Sequence, residues 1–117
     1  MSGRIPAVRV PAGHATVHVG GQNGVGADGA LVGPGLGEQM RRALANLADC
    51  LAAAGASPAD VVGWTILCVD GAPLAEGLCA VDDFLPEGAP PPAVVFVAGL
   101  ALPGAMVEIE AVAAVPE

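Results

Sequence analysis

The sequence predicts a single α/β domain of mixed sheet and two helices. Three observations predict it: two apolar stripes at helical spacing, short strand-like runs around them, and glycine or proline punctuation between each run and the next. At 117 residues there is room for one domain, residues 1–117, and not for two.

Residues 4–10 alternate weakly and predict a first strand, and residues 14–20 ("HATVHVG") predict a second. The glycines and asparagine of residues 20–26 open a loop, and residues 27–33 ("ADGALVG") predict a turn and a short third strand. Met40, Leu44, Leu47 and Leu51 then draw one stripe at intervals of 4, 3 and 4, the period of a helix. Gly55 stands where a C-terminal glycine cap belongs. Ser57-Pro58 with Asp60 marks a short turn, and residues 60–69 predict a strand apolar on both faces. A second helix is predicted from Pro73 to Leu85 on the stripe Leu74, Leu78, Val81 and Leu85, weakened by Gly77. Strands at residues 93–99 and 106–115 follow, joined by a turn at Pro103-Gly104.

That order is β-β-β-α-β-α-β-β, a sheet of about six strands. Two helices cover one face of such a sheet. Residues 61–69 and 93–98 are nevertheless apolar at both parities, which asks for burial of the second face as well. The economical solution is self-association through that open face.

Composition narrows the function. Hydrophobic residues make up 54% and aromatics 3%, so the core is built of Ala, Val and Leu. The formal charge is −8, no Lys is present, and the four cations are Arg4, Arg9, Arg41 and Arg42. Counterion release from nucleic acid and attraction to anionic lipid both need a cationic surface, so neither partner is expected. Three cysteines, Cys50, Cys68 and Cys79, match no zinc or redox spacing and read as free thiols in a reducing compartment. No secretory leader and no run of about 18 apolar residues is seen, so a cytoplasmic protein is expected.

Few residues carry candidate chemistry. Glu108 and Glu110 share one strand face, about 7 Å apart at the strand rise. Two readings fit them: a carboxylate in an interface pocket suited to acid-base work, or a solvated edge. Gly20 to Gly24 serve either as backbone that approaches a ligand oxygen or as a tight turn needing positive φ. Gln22 and Asn23 either contact a ligand or satisfy that turn. His18 lies on the face of Gly20 and is either an acid-base group or structural. Trp64 reads as core. No set of His, Cys, Asp or Glu has metal spacing, so no metal is expected.

In order along the chain stand Gly20-Gly21-Gln22, then Gln39, Ala43-Leu44, Asn46-Leu47, Leu51 and Ala54-Gly55. Asp60-Val61-Val62, Pro92-Ala93-Val94 and Glu108-Ile109-Glu110-Ala111-Val112-Ala113 follow. As a set, from about residue 17 to residue 113, they resemble the RidA family, also called YjgF or the reactive intermediate deaminases. The resemblance implies a chorismate-mutase-like fold and a homotrimer whose sheets pack around a central barrel. It places a small-molecule pocket at each subunit interface. It also implies cofactor-free hydrolysis of reactive enamines and imines, with Glu108 positioning the attacking water and residues 20–23 lining the cleft. Some members carry labels as endoribonucleases. This chain departs from the pattern in three places. The family Arg that grips the substrate carboxylate is Val94, the Ser before Gly-Gln is Gly20, and no Tyr is present. Val supplies none of the bidentate hydrogen bonds of an Arg fork. Canonical 2-iminoacid hydrolysis is therefore expected to be weak, and a binding protein on the same fold is the alternative.

Overall fold

The computed structural model describes residues 7–117. Its strands are β1 (His14–Gln22), β2 (Val61–Val69), β3 (Ala93–Val97) and β4 (Val107–Pro116). Its helices are α1 (Leu36–Ala53) and α2 (Leu78–Phe84). The four strands form one sheet in the order β1-β4-β2-β3. β4 is antiparallel to both of its neighbours, while β2 and β3 run parallel, as the connection through α2 requires.

The stripe of α1 behaves as its spacing predicts: Met40, Leu44, Leu47 and Leu51 are all buried. They pack on Val19, Ile66, Ile109, Ala111 and Ala113, the helix-facing row of the sheet. The start of α1 is held by Glu38, whose carboxylate accepts the Gly35 N–H at 2.8 Å and places negative charge in the first turn. Gly55 takes φ +80° just past the helix, the left-handed conformation expected of a glycine cap. Trp64 is core, its indole N–H donating to Pro90 O at 3.0 Å and so tying the proline cluster down.

The expected six strands become four among the described residues, for separate reasons. Of the first expected strand, residues 4–6 lie outside the described residues, and residues 7–10 have no strand partner. Residues 27–33 form no strand either. They fold on themselves through one bridge, Val25 with Leu31, and through Gly26 N–H to Ala30 O at 2.8 Å, with Gly29 at φ +81°. The second helix is broken. A 3-10 turn over Leu74–Gly77 precedes α2, and Gly77 packs so closely on α1 that a Cβ there would meet Leu36 and Met40 at 2.9–3.0 Å. The break rotates the predicted stripe: Val81 and Leu85 are buried, while Leu78 is exposed.

The second sheet face is not covered within the chain. The non-helix positions of β2 are only half-buried, and beside them on β3 Val95 is exposed; Val94 and Phe96, in the helix-side row of this edge strand, are exposed as well, Phe96 at 55%. No helix of the described residues is long and apolar enough to cross a membrane.

The three thiols have graded access. Cys79 is exposed, Cys50 half-buried and Cys68 buried, and burial pushes the Cys68 thiol up. The folded state therefore holds the Cys68 proton at pH values where the unfolded chain has released it, so this group costs stability as pH rises above the ordinary thiol range. Native protein treated with a thiol reagent at mildly alkaline pH should label Cys79 first, then Cys50. Cys68 should react only on unfolding, and its early labelling would contradict this packing.

Candidate functional site

The site is built where the end of β1 meets the start of β4. Pairing proceeds regularly from His14–Pro116 to Val19–Ala111 and then slips, so that Gln22 pairs with Ile109. Gly20 and Gly21 form the bulge that absorbs the slip. Glu108 fills the space this creates: a Cβ on Gly21 would collide with the Glu108 carboxylate. Asn23 approaches the same carboxylate. Its Nδ2 donates to Val107 O at 3.0 Å and lies 3.5 Å from Glu108 Oε1.

The glycines of this loop serve close approach. No glycine from 20 to 24 has positive φ, so the tight-turn reading fails. Gly21 makes room for a carboxylate. Gly24 makes room for a helix, because a Cβ there would stand 2.5 Å from Gln39 O and 2.6 Å from Gln39 Cα. Gln22 Nε2 donates back to Gly20 O at 3.1 Å, an exposed bond within the bulge.

A polar stripe on α1 fixes the loop. Asn46 Nδ2 donates to Asn23 O at 3.0 Å and to Val25 O at 2.9 Å, and Arg42 Nε donates to Val25 O at 3.1 Å. Gln39 Nε2 donates to Gly33 O at 2.9 Å and Gly104 O at 3.2 Å, while Gln39 Oε1 accepts the Met106 N–H at 2.8 Å. Residue-by-residue reading gave these three side chains no role. Their signal was nonetheless present, as polar residues at intervals of 3 and 4 beside the apolar stripe.

The register sorts the remaining candidates. Glu108, Leu67 and Val95 lie side by side across β4, β2 and β3. Val94 belongs to the next row, beside Ile66 and Ile109, which face the helices. One chain therefore does not bring Val94 and Glu108 to the same face. His18 pairs with Val112, four residues along β4 from Glu108, about 13 Å at the strand rise. It lines a groove of about 500 Å³ on the open face with Gly20, Gly63, Thr65 and Glu110. Arg9 lies at the other end of the sheet, in a cleft of about 470 Å³ with His14, Asp60 and Ala114. Ala114 is six residues from Glu108 on β4, about 20 Å. Glu108 lines neither hollow. Among the described residues, no three His, Cys, Asp or Glu gather as a metal site.

The family pattern described as Endoribonuclease L-PSP matches residues 6–115. Solved structures agree. The chain is similar to YyfB of Yersinia pestis, a Rid-family protein of unknown function, at 34% identity over 97% of this chain and 87% of that one, with a TM-score of 0.80. It is similar to Rv2704 of Mycobacterium tuberculosis, of the YjgF/YER057c/UK114 family, at 33% identity over 86% and 79%, with a TM-score of 0.74. RidA of an Antarctic Psychrobacter matches at 27% identity over 94% of both chains, with a TM-score of 0.78. No curated protein matches the chain. With the matched pattern spanning nearly its whole length and the site residues in their expected order, the chain belongs to the RidA/YjgF family.

Proposed function

We propose that the protein is a cytoplasmic hydrolase of small imines or enamines, working without metal or cofactor at clefts between the subunits of a homotrimer. The observation that carries this reading is the seating of Glu108, a half-buried carboxylate held against Gly21 and Asn23 at the mouth of the bulge. Family membership supports the reaction class. The register supports the shared cleft, since Glu108 and the β3 position of the family Arg lie on opposite faces of one chain's sheet. A second copy against the open face supplies what one chain lacks. It would also cover Val95, on the open face beside Leu67, which a monomer leaves in water.

The chemistry follows from the carboxylate. Glu108 accepts a proton from water, and the hydroxide oxygen adds to the carbon of the C=N bond. The proton then passes to nitrogen to give a carbinolamine; its hydroxyl proton is next carried to nitrogen by the same carboxylate as the C–N bond breaks and the C=O bond forms, and the products are a carbonyl compound and ammonia. An enamine enters the same route after protonation at carbon. The absence of Lys and a net charge of −8 argue against RNA as the substrate, whatever the family description says.

Val94 favours a second reading, a trimeric ligand-binding protein that retained the fold and lost the reaction. It cannot hold a substrate carboxylate as an Arg does. Arg9 lines the cleft beside Ala114, which lies about 20 Å along β4 from Glu108, and so does not meet Glu108 within one chain.

Sedimentation at micromolar concentration should give about three times the 11.3 kDa chain mass; a monomer would remove the shared cleft. In stopped-flow decay assays, the protein should accelerate loss of amino-acid-derived 2-iminoacids little or not at all, and should act on neutral imines. Glu108→Gln should lower the neutral-imine rate about 10²–10⁴-fold with the oligomer intact. Loss of neither imine class above background would favour the binding-protein reading.

A further inference from the structure

Asn23 is fixed from two directions. Its main-chain carbonyl accepts Asn46 Nδ2 at 3.0 Å and the Val25 N–H at 2.9 Å, which ties it to α1 and to the following turn. Its side chain is tied to β4 through the 3.0 Å bond from Nδ2 to Val107 O. Val107 is the residue before Glu108, so the amide is anchored at the backbone that carries the carboxylate. The same nitrogen lies 3.5 Å from Glu108 Oε1. The other carboxylate oxygen, Oε2, faces the bare Cα of Gly21, where any side chain would displace it.

Glu108 is thus bounded by an N–H donor at one oxygen and by a required glycine at the other. From this we infer that Asn23 is a positioning residue for Glu108 and not a substrate contact. Its Nδ2 is already committed to the protein, and its reach is to the carboxylate. Asn46 acts one step further back, through the Asn23 carbonyl. A carboxylate on a strand end has rotational freedom about its side-chain bonds. Holding it at one oxygen leaves the open face of the sheet as the direction in which water or substrate meets it. The inference rests on the reading of Glu108 as the proton acceptor, but the pairing itself can be measured without any substrate.

The test uses the full chain and the side-chain amide ¹⁵N–¹H signals of Asn23, assigned through their loss in Asn23→Ala. At neutral pH, Glu108→Gln should move that pair of signals well outside the scatter of the other Asn and Gln amides. Glu108→Asp, which withdraws the carboxylate by one methylene and keeps its charge, should move it too. Glu110→Gln, on the same strand face, should leave it in place. Asn23 signals indifferent to both Glu108 variants, or moved equally by Glu110→Gln, would overturn the pairing. With a neutral imine as the probe, Asn23→Ala should lower kcat about tenfold to a hundredfold with KM unchanged. A rise in KM at constant kcat would make Asn23 a substrate contact and overturn the assignment. Spectral coupling without turnover of any imine by the parent protein would leave the Asn23–Glu108 pairing standing and remove the catalytic reading alone.

Discussion

Three backbone groups from two separate loops converge on one buried carboxamide. Gln39 has no solvent exposure, and both its donor and acceptor capacities are in use, on Gly33 O, Gly104 O and Met106 N. A buried polar group left without a partner costs about 1–3 kcal/mol. Truncating this side chain would strand three such groups at once. The constraint is geometric as well as energetic. The Gly104–Met106 turn delivers β4, and β4 delivers Glu108. Gly24 packs on the Gln39 backbone, and the loop that contains it delivers Gly21 and Asn23. The two halves of the site are therefore referenced to the same turn of α1.

The apolar framework was legible in the sequence because it repeats. Met40, Leu44, Leu47 and Leu51 recur at a period that only a helix satisfies, and residues 107–113 alternate as only a strand does. Two things were not legible. Residues 27–33 carry strand-like side chains, but a strand also needs a partner, and among the described residues the sheet neighbour of β1 is β4. The stripe over Leu74–Leu85 is periodic in sequence, yet the helix changes from 3-10 to α at Gly77, where the chain packs against Leu36 and Met40 of α1. Both failures are tertiary facts overriding local pattern.

The site was legible in part. Glu108 and the glycines were visible as a motif, but the reason for the glycines was not. The Gly20–Gly24 segment has no left-handed residue, and its glycines answer to the volume of Glu108 and the backbone of α1. For Asn23 and Gln22 the sequence left two readings open, ligand contact or satisfaction of the local backbone. The structure bonds both to backbone, Gln22 to Gly20 O and Asn23 to the start of β4. Val94 marks a different limit. Only the register shows that Val94 and Glu108 lie on opposite sheet faces.

The buried Gln39 amide locks the turn before β4 and so fixes Glu108. The Met106 N–H, donated to Gln39 Oε1 at 2.8 Å, reports on this lock directly. Native-state hydrogen exchange should show it protected to nearly the level of global unfolding, as core strand amides are, although it lies outside the strand itself. Exchange of the Met106 amide as fast as that of an exposed loop would contradict the account.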